Sequence, residues 1–500
     1  MRLAACLFGE VIVNLAHIVE HGRSDAPALV AGVDTWTYGA LRGAIAQLRA
    51  DLVSRGLAPG NHVGLLAVNN PAFVVGALAA LAAGLVVVPL NPHSPAAELS
   101  RELGVTDTRV ALVDAATATT HTAIALGLDA LVSLEPKPCD PVAEVGAVDL
   151  APDTAAFLLF TSGTAGPPAA AILSHASMLA NLRQVAAHPG ASVTTADIVL
   201  AVAPLCHVFG LNAVLHPALA AGACVVLVDH FDPQATLETI GARRVSIVSG
   251  PPALWDALAG ACHDPTVFGQ VRLALSGAAP LDRRTVDLVA ERCGLTLQQG
   301  YGLTEAAPVV ALAVGTGAPW SSVGLAVPGL EVRIVDELGV DVLVGDEGEL
   351  RVRGPNIFSG YWGDRAATER ALTHDGWLRT GDVAVVDDRG WLTLVDRIKD
   401  LIIVSGFNVH PGEVEAALLA HPGVAEAVVI GVAHQGTDER VEATVVLVPG
   451  TRVSPDQLVE HCRGQVARYK VPTVVRIVAE LPHGLTGKVL RRAVRPRAGS

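Results

Sequence analysis

The chain has 500 residues, which is too long for one hydrophobic core, so two or more domains are expected. Hydrophobic residues make up 51% of the chain and charged residues 17%, a composition typical of globular proteins and not of disordered ones. The formal net charge of −14 argues against a nucleic-acid partner, because nucleic-acid binders present a basic face.

The seven cysteines are scattered and form no CxxC pair. This usage predicts a reducing, cytoplasmic location and speaks against a disulfide framework or a zinc site. Residues 72–90 carry no charge over a length that could span a bilayer. Gly84 divides this stretch into a helical pattern and a β-branched run, so we predict a buried helix followed by a central strand. No transmembrane segment is expected, and peripheral contact with a membrane stays open.

Residues 10–150 alternate helical patterns with short apolar runs. An amphipathic helix is predicted over residues 41–57. Buried strands or strand-containing patterns are predicted over residues 63–68, 86–90, 110–113, 155–160, 198–227, 245–249 and 271–275. This alternation predicts an α/β fold whose large N-terminal domain contains mostly parallel sheets layered with helices.

From residue 329 to 395 the pattern changes to short alternating strands separated by Gly and Asp turns, which predicts a small antiparallel sheet or barrel-like subdomain. Beyond it, a helix over 413–419 and strands over 424–432 and 441–447 indicate a small α+β domain. We therefore predict an N-terminal domain over residues 1–395, a junction at 396–400 and a C-terminal domain over 401–500.

Residues 159–171 (LFTSGTAGPPAAA) follow a predicted buried strand and precede an apolar-periodic segment that Ser174 opens. Glycine lets backbone N–H groups turn towards an anion, and the Thr and Ser hydroxyls add neutral donors, so the segment suits a polyphosphate. It lacks the Lys-Ser/Thr pair of the Walker pattern. Taken alone, it is also typical of an ordinary glycine-rich turn.

Five further motifs follow in order: QGYGLTE at 299–305, GWLRTGD at 376–382, DRIKD at 396–400, GFN at 406–408 and GKVLRR at 487–492. Together with TSGTAG at 161–166, they resemble the adenylate-forming superfamily, which includes acyl-CoA synthetases, luciferases and peptide-synthetase adenylation domains. The chain looks most similar to the acyl-CoA synthetase and fatty-acid-CoA ligase branch. With Asn91 and Pro92 upstream, the likeness covers nearly the whole chain.

The resemblance implies an ATP and AMP site assembled from several segments. Its predicted residues are Thr161, Ser162, Gly163, Thr164, Gly166, Gly277, Ala278, Ala279, Gly300, Tyr301, Gly302, Asp382 and Arg397. Tyr301 would stack on adenine, Asp382 would accept from both ribose hydroxyls, and Arg397 would reach the ribose or a phosphate. Without the resemblance, these three read as a core tyrosine, an Asx-turn residue and one half of a linker salt bridge.

The catalytic candidates are Lys488, Glu305, Thr304 and His207. A carboxylate at a strand end, here Glu305, could hold Mg²⁺ against triphosphate oxygens, with Thr161 as a second metal-binding candidate and Thr304 donating to phosphate. The alternative for Glu305 is a solvated side chain in a turn. The ammonium of Lys488 would offset the repulsion between an attacking carboxylate and the α-phosphate, whereas an isolated lysine is more often a surface residue.

The remaining predicted roles also come from the resemblance. His207 belongs to CHVFG at 206–210, which matches the segment whose aromatic residue gates the acyl pocket in the family, although a packed core histidine remains an alternative. Lys399 falls on the family hinge, about which the mobile small domain swings between two half-reactions. Gly406 and Phe407 match the channel for the pantetheine of CoA.

One position departs from the family pattern. The family loop continues Gly-x-Pro-Lys-Gly, whereas residues 166–170 here read GPPAA, so Ala169 stands where a lysine is expected. The backbone and hydroxyl donors are kept. We therefore expect weaker binding of ATP or pyrophosphate, and not the loss of chemistry.

The sequence thus predicts an AMP-forming acid–thiol ligase that converts a carboxylic acid and ATP into acyl-AMP and pyrophosphate, and then uses CoA to form acyl-CoA and AMP. ATP, Mg²⁺ and CoA are the expected cofactor and co-substrates. The uncharged stretch 208–219 favours an aliphatic or aromatic acid, with a fatty acid preferred. The alternatives are transfer to an acyl carrier protein and a binding homologue with little turnover. A homodimer stays open.

Overall fold

The computed structural model describes residues 13–118, 122, 126–161, 169–397, 402–404, 407–433, 439–466, 468–484 and 489–494. The chain divides into two compact units. The first takes residues 1–320, 324–331 and 352–378, and the second takes residues 321–323, 332–351 and 379–500.

The first unit is built on two large sheets. Its strands are β1 (Pro27–Ala31), β2 (Asp34–Thr37), β3 (His62–Leu66), β4 (Val86–Leu90), β5 (Val110–Asp114), β6 (Ala130–Leu134), β7 (Ala155–Phe160), β8 (Ala170–Ser174), β9 (Ile198–Ala201), β10 (Cys224–Leu227), β11 (Ile247–Gly250), β12 (Leu273–Ser276), β13 (Leu297–Gly302), β14 (Val309–Leu312) and β15 (Leu325–Ala326).

A six-stranded sheet has the order β6-β5-β3-β4-β7-β8, in which every neighbouring pair is parallel except β7 and β8. A nine-stranded sheet has the order β15-β14-β13-β12-β11-β9-β10-β1-β2. Its pairs from β13 to β1 are parallel, and the strands at both edges are antiparallel. The predicted α/β architecture of mostly parallel sheets is confirmed.

Helices connect these strands. The α-helices are Tyr38–Ser54, Pro71–Ala82, Ala96–Val105, Ala115–Ala118, His175–Ala187, His216–Ala221, Pro233–Arg243, Pro252–Ala261, Arg283–Cys293 and Arg365–Ala371. Shorter turns of 3₁₀ helix lie at Leu15–Glu20, Pro265–Phe268 and Thr304–Ala306, and a π-helical turn lies at Phe209–Leu215.

The uncharged stretch 72–90 belongs to the core. Asn70 caps the helix Pro71–Ala82 by accepting a hydrogen bond from the backbone N–H of Phe73, and all of its residues after Pro71 are buried. The strand β4 that follows is buried along its whole length. This is the predicted helix and central strand, so the stretch is apolar because both elements are covered by protein. No helix in the described ranges is long and apolar enough to cross a membrane.

The second unit contains three smaller sheets. Its strands are β16 (Glu331–Val335), β17 (Gly348–Arg353), β18 (Leu378–Val386), β19 (Leu392–Arg397), β20 (Ile402–Val404), β21 (Phe407–Val409), β22 (Val424–Ala433), β23 (Glu439–Leu447) and β24 (Val474–Val478), of which β16 to β18 have end residues in the first unit. The sheets have the orders β16-β17-β18-β19, β20-β21 and β22-β23-β24.

Two helices, Pro411–Leu419 and Pro455–Arg463, accompany the last sheet, together with the short turns Arg468–Lys470 and Arg491–Val494. Val414 and Leu458 from these helices and Val429 from β22 are buried in one core cluster. This part of the chain is therefore α+β, as the pattern beyond residue 400 predicts.

Candidate active site

The predicted phosphate loop connects β7 to its antiparallel neighbour β8. The backbone N–H of Thr161 donates to the carbonyl of Ala169 at 3.1 Å and so closes the connection at its base. The Oγ1 atom of Thr161 is buried and has no hydrogen-bond partner in the part of the chain that the structure describes. A buried hydroxyl without a partner is the kind of group that a ligand would satisfy. Ser162, Gly163, Thr164 and Gly166 lie outside the described residues.

The sequence predicts a loop followed by an apolar-periodic segment that Ser174 opens, and the structure shows that a strand also precedes this segment. Strand β8 intervenes, and Ser174 both ends that strand and caps the helix His175–Ala187 by accepting from the N–H of Ser177 at 3.0 Å. The sequence pattern does not indicate this strand, because its five apolar and small residues continue without a break into the periodic pattern of the helix.

Glu305 lies in the short turn that follows β13, as predicted. Tyr361 donates its phenol hydrogen to Oε1 of Glu305 at 2.6 Å. The N–H of Phe358 donates to the backbone carbonyl of Glu305 at 2.9 Å. Both the side chain and the backbone of Glu305 are therefore held by residues 358–362, which we call the strap.

The strap also pairs with the end of the phosphate loop. Gly360 accepts from the N–H of Ile172 at 2.9 Å, Ser359 donates to the carbonyl of Ile172 at 3.0 Å, and Trp362 donates to the carbonyl of Ala170 at 2.8 Å. Ala170 is the first residue of β8 and follows directly on the loop. The strap thus joins the base of the predicted phosphate loop to the predicted metal ligand.

The glycine-rich segments after β12 and within β13 lie side by side. Ser276 and Gln299 are partners in the parallel pair of these strands. A Cβ atom at Gly277 would lie 3.3 Å from the carbonyl oxygen of Gly300 and 3.4 Å from the Phe209 ring. The structure therefore brings these three residues together.

Four more of the predicted nucleotide-binding residues belong to these segments. Ala278 has a positive φ of 67°, which is uncommon for a residue with a side chain and often marks a functional loop. Ala279 follows it. Tyr301 lies in β13 opposite Ala311 of β14, and Gly302 ends β13.

His207 lies just before the π-helical turn that Phe209 begins. Its Nε2 atom is buried without a partner among the described residues, and burial lowers the pKa of the ring, which keeps it neutral near pH 7. Gly210 allows the turn to approach Pro204, because a Cβ there would lie 2.3 Å from that carbonyl oxygen. The segment predicted to gate the acyl pocket thus packs beside Gly277.

Asp382 and Arg397, the two predicted ribose contacts, lie in the second unit and are direct partners in the antiparallel pair of β18 and β19. Asp382 lies inside a nine-residue strand and is only 5% exposed. Its N–H donates to Oγ1 of Thr380 at 3.1 Å. The side chains of Arg397 and Phe407, and the whole of Lys399 and Gly406, are outside the described residues.

Lys488 is also outside the described residues, but both ends of its segment are held. His483 forms a β-bridge with Val489, and the N–H of Leu490 donates to the carbonyl of Pro482 at 2.7 Å. Arg491 contacts the carboxylate of Glu415 at 2.6 Å. His483 lies 2.8 Å from a carboxylate oxygen of Glu426. The described residues on either side of the segment 485–488 therefore contact β22 and the helix Pro411–Leu419.

Glu305 fits the way proteins bind Mg²⁺ beside a nucleotide. Within the described ranges, no group of three or more His, Cys, Asp or Glu side chains could hold a metal ion. Magnesium, however, commonly binds through one or two carboxylates together with substrate phosphates and water. A single half-buried carboxylate, connected through the strap to Ala170 after the loop, matches that pattern, as does the buried Oγ1 of Thr161.

The comparisons with known proteins decide the family. A model of the AMP-binding enzyme matches residues 16–362, and a model of the AMP-binding enzyme C-terminal domain matches residues 413–488. The chain belongs to the AMP-binding enzyme family. It is an adenylate-forming enzyme, as the ordered motifs indicated.

Relatives in this family extend over almost the full length of the chain. A feruloyl-CoA synthase from Amycolatopsis sp is 36% identical over 485 residues and covers 95% of this chain and 96% of its own. A long-chain-fatty-acid–CoA ligase from Yersinia pestis is 38% identical over 350 residues, which are 68% of this chain and 61% of its own. The predicted enzyme class, an AMP-forming acid–thiol ligase, is confirmed.

The solved structures agree with the fold. The crystal structure of ATP-bound MatB from Rhodopseudomonas palustris superposes with a TM-score of 0.89, is 29% identical, and covers 97% of this chain and 98% of its own. The similarity supports the family fold over both units. The roles of individual site residues in this chain remain predictions.

Proposed function

We propose that this enzyme is an AMP-forming CoA ligase for an apolar carboxylic acid, with an aromatic acid of the hydroxycinnamic class as the first candidate and a fatty acid as the second. The observation that carries the ligase proposal is the strap, which joins the predicted phosphate loop to Glu305. The family membership and the names of the full-length relatives support the same reaction.

The aromatic candidate has two supports. The relatives that cover 95% of this chain are named for aromatic acids, feruloyl and 4-coumarate, whereas the fatty-acid ligase covers 68%. In the structure, the ring of Phe209 lies beside Gly277, where a Cβ atom would come within 3.4 Å of it. An aromatic acid could pair its own ring with that of Phe209. The sequence alone had favoured a fatty acid.

In the adenylation step, the loop that begins at Thr161 would bind the triphosphate and Tyr301 would stack on adenine. Glu305 and the hydroxyl of Thr161 would hold Mg²⁺, with Thr304 donating to phosphate. The metal, when bound, supplies positive charge that offsets the phosphate oxygens. Lys488 would lie between the acid's carboxylate and the α-phosphate. Its charge would stabilise the transition state strongly there, because electrostatic interactions are stronger where water is excluded.

In the second step, the thiol of CoA would attack the acyl-adenylate and release AMP. Gly406 and Phe407 would line the path of the thiol, and Asp382 with Arg397 would hold the ribose. The neutral Nε2 of His207, which has no partner among the described residues, would hydrogen-bond an acyl oxygen. Lys399 would take up the backbone rotation between the two steps. The domain boundaries at residues 395 and 401 are proposed on the same basis.

Pyrophosphate release, measured with a panel of acids (ferulate, 4-coumarate, octanoate, palmitate and malonate), tests this function. We expect release with an apolar acid and thioester formation when CoA is added. Release with a fatty acid and not with ferulate would favour the second candidate. No release with any acid would favour a binding homologue, and thioester formation on an acyl carrier protein instead of CoA would favour the carrier-loading alternative.

The substitution Lys488→Ala tests the predicted catalytic lysine. We expect the adenylation rate to fall about 10²–10³-fold, as is common when one charge-stabilising donor is lost. The exposed Lys137 provides a matched control, and Lys137→Ala should leave the rate unchanged. Equal rates for the Lys488→Ala and Lys137→Ala variants would contradict this role.

A further inference from the structure

Tyr361 has no role in the reaction described so far, yet it makes the shortest hydrogen bond to Glu305 within the described ranges. Its phenol donates to Oε1 at 2.6 Å across 56 residues of sequence. A phenol ordinarily ionises only at about pH 10, so Tyr361 has its proton at neutral pH and is the donor in this hydrogen bond.

We propose that Tyr361 is a positioning residue that fixes Oε1 of Glu305 and leaves Oε2 to bind the divalent cation of the nucleotide. This inference rests on the proposed function, because it takes Glu305 as the metal ligand. A neutral donor suits this task. It restrains the carboxylate without cancelling its charge, whereas a lysine or arginine at the same place would compete with the cation.

The strap holds Tyr361 rigidly enough for such a role. The N–H of Tyr361 donates to Oγ1 of Thr368 at 2.8 Å, and the rings of Phe358 and Tyr361 meet edge to face with their centres 4.9 Å apart. Gly360 has a φ of 127°, and a Cβ there would lie 2.6 Å from Thr368 Cγ2. Only glycine satisfies both conditions.

The same strap connects Glu305 to Ala169 and Thr161, the described ends of the phosphate loop. Trp362, next to Tyr361, donates to the carbonyl of Ala170, and the preceding residue Ala169 closes the loop onto Thr161. Three hydrogen bonds therefore connect the base of the loop to the carboxylate: Thr161 to Ala169, Trp362 to Ala170, and Tyr361 to Glu305. A metal bound by Glu305 would be placed against phosphates held by the loop, because both ends share one backbone ladder.

The substitution Tyr361→Phe removes the phenol hydroxyl and keeps the ring. Equilibrium binding of ATP, measured by titration calorimetry at increasing Mg²⁺, is the primary readout. We expect the Mg²⁺ concentration for half-maximal enhancement of ATP binding to rise about 10- to 100-fold, as for loss of a hydrogen bond to a charged group. Binding of metal-free ATP should be unchanged.

Tyr38→Phe is the matched control. Tyr38 is a fully buried tyrosine of the same unit whose phenol donates to the carbonyl of Ala223 at 2.7 Å. Its loss should lower the melting temperature and leave the Mg²⁺ dependence of ATP binding as in the wild type. If Tyr361→Phe lowers the melting temperature by as much as Tyr38→Phe does, and only Tyr361→Phe also weakens Mg²⁺ binding, the result supports positioning and not a general structural effect.

The double variant Tyr361→Phe/Glu305→Gln completes the test. If Tyr361 acts through Glu305, its substitution should have no further effect on Mg²⁺ dependence once Glu305 is changed. If the ATP affinity of the wild type does not depend on the Mg²⁺ concentration, the metal-binding part of the proposed function is overturned. If ATP binding depends on Mg²⁺ in the wild type and depends on it equally in the Tyr361→Phe variant, the inference about Tyr361 is overturned and the proposed function is not.

Discussion

Ala169 lies half-buried at the end of the phosphate loop, at the position where the family has a lysine. Its carbonyl oxygen accepts from the N–H of Thr161, and this bond does not involve the side chain. A longer side chain at residue 169 therefore leaves the closure of the loop intact, so the position can be changed to test the charge alone.

We expect Ala169→Lys to lower the KM for ATP roughly 2- to 5-fold, the range for one partly exposed ion pair. Steady-state kinetics at saturating acid measure this change. Ala169→Met adds similar length without charge and should leave the KM near that of the wild type. An unchanged or higher KM in the lysine variant would refute this explanation of the loop.

Most candidate site residues were proposed from short motifs, and their roles stay predictions. Glu305 and Tyr301 come from one heptapeptide, and the structure places Glu305 after a strand, as expected. Tyr361 could not be found in this way. Its contact with Glu305 spans 56 residues, and nothing in the local sequence signals that the strap pairs with β8. Its proximity follows only from tertiary structure.

At the scale of elements, Asp197 connects three strands of the nine-stranded sheet. It precedes β9 and receives two hydrogen bonds from Arg272, which precedes β12, each at 2.7 Å. Ser246, just before β11, donates to the same carboxylate at 2.8 Å. Burial would raise the pKa of Asp197, but these donors, with Thr194, outweigh it and hold the pKa at about 2.

Asp197→Asn should lower the free energy of unfolding by about 1.5–3 kcal/mol at pH 7, the range for hydrogen bonds to a charged group. Because the folded state lowers the pKa of Asp197, the wild type's advantage is complete above the unfolded pKa near 4 and is lost as the pH falls through the folded value of about 2. Urea unfolding at several pH values measures both effects.

Asp287, which pairs with Arg283 on the surface, provides the control. Both side chains of this pair are more than half exposed, so Asp287→Asn should change stability by less than about 1 kcal/mol. Similar losses for both asparagine variants, or a loss at Asp197 that is independent of pH, would show that the network contributes nothing beyond a surface ion pair.

Elements with a distinct boundary were predicted well. The helix Pro71–Ala82 begins at an Asn-Pro pair and is separated from β4 by Gly84, so both were recognised. Strand β8 was missed because it runs into the next helix through Ser174, which serves as the end of one and the cap of the other. Apolar composition alone does not separate two such elements.

At the scale of the whole molecule, the chain divides into two units, and the predicted hinge falls between β19 and β20 of the second. We expect Lys399→Pro to preserve pyrophosphate release but to slow thioester formation roughly 10²-fold, because proline fixes its own φ and restricts the preceding residue, which impedes correct alignment. Single-turnover assays of each half-reaction measure this difference.

Lys399→Ala is the matched control, since alanine keeps the backbone free to rotate. It should retain thioester formation far better than the proline variant. Equal losses in both variants would assign the effect to the lysine side chain. Equal losses in both half-reactions of the proline variant would argue against a hinge at this position.

The hairpin that carries the phosphate loop has a consequence for ionic strength. Five residues of β8 at about 3.3 Å each separate the loop from the next helix N-terminus, so that helix's dipole, which acts only within about one turn, adds little at the loop. Residues 161–169 carry no charged side chain either. Added salt should therefore weaken nucleotide binding less in this enzyme than in its Ala169→Lys variant.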